Sequence, residues 1–229
     1  MGKEVEAIAL AKGYTIPFII DENNRADLNP RVLSQADVVV EFTGPDAAFQ
    51  NIMACLDAGV PIVSGTTGWL DRFEQIKEEC SRRNGGFFYA SNFSIGVNLF
   101  FDLNARLAEL MSSHPEYSVR IEEVHHKKKK DAPSGTALTL AKQVITENRN
   151  INGWTEELIA PEGQIGMTSI REGNVTGTHS VIYLSQDDKI TIRHEAFSRR
   201  GLASGAIMAA EFMVGRSGVY TMKDLISHI

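Results

Sequence analysis

Between Glu123 and Leu138 the chain reads EVHHKKKKDAPSGTAL. Two histidines and four consecutive lysines run into Asp-Ala-Pro-Ser-Gly-Thr, and an apolar, helix-forming stretch follows. Ser134 fits a helix N-cap, which would leave the amides of Gly135 and Thr136 free to hold a carboxylate at the positive end of that helix. Gly135 lets an anion come close to the backbone. Lys129 follows His125 by four residues, and a histidine or lysine beside a reacting centre can supply a proton near neutrality. Imidazole, ammonium, hydroxyl and amide groups therefore converge, and they suit a small substrate with two carboxylates that must be protonated. A lysine run by itself is usually solvated surface, and Ser-Gly-Thr by itself is often only a cap. The three features together favour an anion site with a built-in proton donor.

Other positions that could face a ligand lie at the ends of apolar runs in the first half. Asp21 closes YTIPFII, residues 14–20. In a dinucleotide-binding fold an acidic residue there accepts hydrogen bonds from ribose hydroxyls, and the alternative is a plain turn aspartate. Gly65, Thr66 and Thr67 of GTTG follow VPIV, where ligands bind in open α/β sheets, and Ala90, Ser91, Asn92 and Phe93 follow GGFFY. The opening Met-Gly-Lys reads as the end of a G-x-G-x-x-G loop with Gly2 in the third glycine's position. The strand and two glycines expected before it are not in this sequence, so a central sheet strand and most of the pyrophosphate loop are expected to be missing.

These residues need elements to position them. Apolar runs at 14–20, 36–42, 60–65 and 85–90 read as strands. They alternate with helical stretches at 3–12, 46–58 and 70–83, which implies βαβ units and a parallel sheet. A helix over roughly 96–112 leads to YSVRIEEVHH, whose alternation suggests a half-exposed strand, and 134–148 is helical. TSIREGN, GTHSVIYLS and KITIRHEAF follow with turn signals between them, which predicts an antiparallel meander. A small-residue helix occupies 203–214. The expected organisation is an α/β domain over 1–92 that regains 203–229, and an α+β domain with a largely antiparallel open sheet over 93–202.

A net charge of −6 over 229 residues argues against nucleic-acid binding. No apolar run approaches the ~20 residues of a membrane span, and no signal-peptide layout opens the chain, so no membrane partner and a cytoplasmic location are expected. Cys55 and Cys80 stand at no metal-ligand spacing and read as buried free thiols; no metal is expected.

EVHHKKKKDAPSGTA closely resembles the signature of the 4-hydroxy-tetrahydrodipicolinate reductase (dihydrodipicolinate reductase) family of bacterial lysine biosynthesis. EFTGPDA (41–47), VSGTTGW (63–69), SNFSIGVN (91–98) and IREGNVTGTH (170–179) support the resemblance, in the family's order and over nearly the whole chain. The resemblance implies reduction of a cyclic imine dicarboxylate by hydride from NADH or NADPH. It implies a Rossmann-like N-terminal domain and a C-terminal domain whose open sheet mediates a homotetramer. By position, His125 and Lys129 match the family's catalytic pair. His126, Gly135 and Thr136 match substrate contacts, with Ser134 beside them. Gly65, Thr66 and Thr67 match the loop near the nicotinamide, Ala90, Ser91, Asn92 and Phe93 a second cofactor segment, Asp21 the ribose-binding acid and Gly2 the glycine loop. Glu22 beside Asp21 leaves a 2′-phosphate without obvious compensation, so NADH is expected to serve at least as well as NADPH.

Overall fold

The computed structural model describes residues 1–157 and 159–229. They form two compact units, one of residues 1–95 with 200–229 and one of residues 96–199.

The first unit is built on a parallel sheet in the order β1 (Val39–Glu41), β2 (Ile62–Ser64), β3 (Gly86–Tyr89) and β9 (Gly218–Tyr220). Helices α1 (Gly2–Ala11), α2 (Pro30–Leu33), α3 (Pro45–Asp57), α4 (Phe73–Arg82), α7 (Arg200–Met213) and α8 (Met222–His228) surround it. Strand alternation explains the layering, because successive side chains point to opposite faces. Ile62 and Phe87 enter a core with Ile52, Leu56 and Ile76 of α3 and α4. Their neighbours Val63 and Phe88 enter another with Val5, Ala206 and Met213 of α1 and α7. A sheet covered on both faces reads as continuous apolar runs, as VPIV and GGFFY do.

One expected strand does not form. Residues 14–20 pair with no described strand, and Ile19 is 57% exposed. An apolar run becomes a strand only where a neighbour supplies ladder hydrogen bonds. The sheet's outer member, β1, pairs only with β2 among the described residues.

The second unit carries a mixed sheet in the order β5 (Gly153–Thr155), β6 (Gln164–Arg171), β4 (Ser118–His125), β7 (Gly177–Leu184) and β8 (Lys189–Ala196). Two strand pairs are antiparallel, β4–β7 and β7–β8, and two are parallel, β6 with β4 and β6 with β5, so the sheet is mixed where a largely antiparallel one was expected. The expected meander of the last three strands is therefore corrected, since β4 lies between β6 and β7. The cause is α6 (Gly135–Glu147), a crossover from β4 to β6 that forces parallel pairing. The turn at 172–176 then carries the chain past the end of β4 to its other side. Glu172 N donates to His125 O (2.8 Å) on the way.

Helices α5 (Ile95–Met111) and α6 cover one sheet face. Ala137, Leu140, Ala141 and Val144 recur at helical spacing and bury against Val119 and Ile121 of β4, Ile165 and Met167 of β6, and Val181 and Tyr183 of β7. Asn104 of α5, fully buried, donates to Leu140 O at 3.2 Å and Gln143 Oε1 at 3.0 Å, which uses both hydrogens of its amide nitrogen and ties the two helices together. Among the described residues no helix is long and apolar enough to cross a membrane.

Ile121 sits at the middle of the central strand with no exposed surface. Ile121→Ala is expected to destabilise this unit by about 3 kcal/mol through lost burial and a cavity, read as a lowered midpoint in urea unfolding.

Candidate active site

Strand alternation also builds the chemistry of the second unit. The face of β4 that buries Val119 and Ile121 continues through Glu123 and His125. In register, Glu123 stands opposite His179 of β7, and His125 opposite Arg171 of β6. Four polar side chains from three adjacent strands therefore meet at one end of a face that is otherwise apolar.

Glu123 is fully buried and is the centre of this group. Arg171 donates to its Oε1 at 2.8 Å, and the Ser134 amide donates to both carboxylate oxygens at 3.1 and 3.2 Å. The Nε2 atoms of His125 and His179 each lie 3.6 Å from Oε2. Burial by itself would push the carboxyl up, but His125, His179, Ser134 and Arg171 together outweigh it and hold Glu123 far below the usual carboxylate range. His125 and His179 face each other with Nε2 atoms 3.2 Å apart, and His125 Nδ1 lies 3.3 Å from Thr176 O. On β8, His194 stands in register with His179; burial, then the neighbouring His179, pushes its imidazole down.

Ser134 is the N-cap of α6, its Oγ accepting from Ala137 N at 3.2 Å, as its sequence context suggests. The first-turn amides of Gly135 and Thr136 have no intrahelical acceptor. Across the preceding loop, Lys129 Nζ donates to both oxygens of Asp131 at 2.8 Å, and that pairing lowers the Asp131 carboxyl. Arg171 also donates to Asp131 O at 2.6 Å, pinning the loop to the end of β6. The structure thus brings His125, His126, Lys129, Ser134, Gly135 and Thr136 onto the end of β4, the loop after it and the start of α6.

In the first unit a cleft of about 350 Å³ is lined by Met1, Phe42, Thr43, Pro45, Gly65, Thr66 and Thr67. Met1 is the N-cap of α1 and Gly2 its first residue, so the helix start and the GTTG loop share this cleft. A second buried glutamate holds the loop. Glu41 accepts from Thr43 N (2.8 Å), Thr43 Oγ1, Ser64 Oγ (2.5 Å) and Thr66 Oγ1 (2.7 Å). Gly65 packs so closely that a Cβ would run into the Phe42 ring. Ala90 is buried and Phe93 lies in the core against Phe42 and Phe88, so Phe93 supports the loop from beneath. Ser91 is exposed, and Asn92 Oδ1 accepts from Ser94 N (2.9 Å). Asp21 is exposed and forms a turn, accepting from Asn23 N at 2.7 Å.

Sequence reasoning did not single out Glu41, Glu123, Arg171 or His179. For three of them a signal was present: Glu123 is two residues before His125 on an alternating strand, and His179 and Arg171 share the parity of core residues on their own strands.

Because Glu123's carboxyl is depressed, its stabilisation stands in full above the unfolded-state value of about 4.3. It is lost progressively as pH falls below that value toward the folded one. Glu123→Gln is expected to cost about 3 kcal/mol at neutral pH by leaving Arg171 without its charge partner. In urea unfolding, the gap from wild type should narrow at about pH 3; a gap that stays constant would contradict the assignment.

Residues 1–93 match the family model for the N-terminus of dihydrodipicolinate reductase, and residues 96–226 match that for its C-terminus. A 4-hydroxy-tetrahydrodipicolinate reductase of Christiangramia forsetii is 46% identical over 230 residues, covering 100% of this chain and 95% of its own. One of Lawsonia intracellularis is 33% identical over 253 residues, covering 99% and 95%. Among solved structures, a dipicolinate-bound dihydrodipicolinate reductase of Paenisporosarcina sp. TG-14 shares the fold with a TM-score of 0.69 at 24% identity, over 94% of this chain and 83% of that one. With both family segments matched in order and a relative aligned along the whole chain, the protein belongs to the dihydrodipicolinate reductase family.

Proposed function

We propose that this enzyme reduces 4-hydroxy-tetrahydrodipicolinate to tetrahydrodipicolinate with a pyridine nucleotide, in the diaminopimelate route to lysine. The observation that carries this reading is the family's own signature, which runs from His125 at the end of β4 through the loop of His126 and Lys129 to the open first turn of α6. Overall, a hydride and a proton are added and water is lost. The bound nucleotide supplies the hydride; the chain's residues bind, orient and protonate.

The substrate has two carboxylates. One is suited to the first-turn amides of Gly135 and Thr136 with the Ser134 cap, where free N–H groups and the helix dipole favour an anion. The other is suited to Lys129, which must exchange the exposed Asp131 carboxylate for that of the substrate. His126 flanks the same loop. His125 and Lys129 are the pair we assign to proton delivery.

The first unit suits a nucleotide. The start of α1 can take phosphate at Gly2, and Gly65, Thr66 and Thr67 present backbone and hydroxyl groups beside the apolar Phe42 and Pro45. Ala90, Ser91, Asn92 and Phe93 form the second segment we assign to cofactor contact. Asp21, with one carboxylate oxygen engaged in its own turn, is assigned to the ribose. Glu22 adjoins it, so we assign NADH at least equal standing with NADPH.

Residues 93–202 are assigned to substrate binding and assembly, and 1–92 with 203–229 to the nucleotide. Ile170 and Leu184 each leave 40% of their surfaces exposed on the sheet face turned away from α5 and α6, which supports a homotetramer through that face. Light scattering should then return four times the 25.2 kDa chain mass; a monomer would refute it.

The test is NADH oxidation with freshly generated 4-hydroxy-tetrahydrodipicolinate. Lys129→Ala and His125→Ala are each expected to lower kcat by about a hundredfold or more. A folded chain that binds NADH but never turns over would sink the reading. In the same assay, kcat/KM with NADPH exceeding that with NADH by about tenfold, or about 1.4 kcal/mol, would overturn the cofactor assignment.

A further inference from the structure

The imidazoles of His125 and His179 meet nitrogen to nitrogen in a buried place, and their partners fix where the hydrogens are. His125 Nδ1 lies 3.3 Å from Thr176 O. A carbonyl oxygen can only accept, so Nδ1 carries the hydrogen and Nε2 of the neutral ring holds a lone pair. That lone pair is 3.2 Å from His179 Nε2, so His179 must be the donor, with its own hydrogen on Nε2. His179 Nδ1 is then a bare acceptor. It is buried and has no partner, which is tolerated more readily than a buried N–H left unpaired.

We propose that His179 is a positioning residue for the reaction. Its Nε2–H holds the His125 ring in one rotamer and in the Nδ1–H tautomer, so the His125 proton sits on the nitrogen nearest the turn at 172–176. The proposal rests on the reading of His125 as a proton-delivering group.

Two further features of the site act in the same direction. Glu123 Oε2 lies 3.6 Å from both Nε2 atoms, too far for a good hydrogen bond but close enough for its charge to favour a hydrogen between them. That carboxylate cannot turn away, because Arg171 and the Ser134 amide hold it. On the other side, the His125 ring packs against Gly177. A Cβ at that position would stand 2.9 Å from His125 Cε1 and 3.3 Å from Nδ1. The His179 Nε2–H also has Ser134 Oγ at 3.2 Å, which links the pair to the substrate-side helix start.

The experiment combines nitrogen-15 NMR of the imidazoles with steady-state kinetics on the full chain. The wild type should show His125 as the Nδ1–H tautomer and His179 as the Nε2–H tautomer. His179→Phe, which removes the donor but keeps a ring, should lower kcat by about tenfold or more. The KM values for NADH and substrate should stay within about twofold. His179→Gln, whose amide can still donate, should recover part of the loss. Gly177→Ala, which keeps both imidazoles and presses a methyl against the His125 ring, should lower kcat in the same way by displacing that ring. An Nε2–H tautomer for His125 in the wild type would overturn the proposal. So would full kcat in a folded His179→Phe, or a loss carried by KM alone. If His179→Phe does not fold, the wild-type tautomers and Gly177→Ala decide the matter. A wild type with the expected tautomers but no reductase turnover would refute the functional reading and leave the hydrogen-bond assignment standing.

Discussion

The second unit depends on a carboxylate that has been taken out of water. An ionised glutamate with no exposed surface is costly unless its charge and lone pairs are met, and meeting them dictates what must stand around Glu123. Arg171 reaches it from β6, His179 approaches from β7 and the Ser134 amide donates from the start of α6. Each partner arrives on a different element, so the carboxylate fixes how the sheet, the crossover helix and the lysine loop come together. Removing it would leave the half-buried Arg171 guanidinium and the Ser134 amide without their acceptor.

The first unit solves a similar problem in the same way. Glu41, also at the end of a strand and nearly buried, gathers Thr43, Ser64 and Thr66, so the loop that lines the cleft is held from below. In both units the residues assigned to ligand contact include short hydroxyl or glycine positions that could point several ways. A rigid acceptor beneath them sets their orientation. A site on loops gains precision from such support, because the misplacement of a reacting group by even about 1 Å is expensive in rate.

Much of this could be read from local pattern. The buried strands of the first sheet are apolar on both faces and announce themselves as runs, and the Ser134 cap follows from residue type and place. Residues 14–20 misled because an apolar run signals the wish to be buried, while strand formation also requires a partner that pattern does not supply. The order of β4, β6 and β7 was hidden because turn signals at 172–176 mark a reversal without saying which strand lies between its arms. That crossing also brings Thr176 O to His125, so the feature sequence could not show is one that shapes the site. Glu123 and His179 were legible in principle by parity, yet Glu123 is two residues from the more conspicuous His125 and His179 stands alone on its strand.

The two cations near the substrate loop are not interchangeable. Arg171 is committed: one guanidinium nitrogen bridges buried Glu123 and the Asp131 backbone, and a substrate carboxylate could break that contact only by uncovering a buried charge. Lys129 is bound to a side chain that is 61% exposed, and a pair of that kind contributes roughly 1 kcal/mol or less. A dicarboxylate entering the site therefore meets one fixed cation that it cannot claim and one ammonium it can. The division lets the scaffold stay intact while the proposed substrate clamp opens and closes on each turnover.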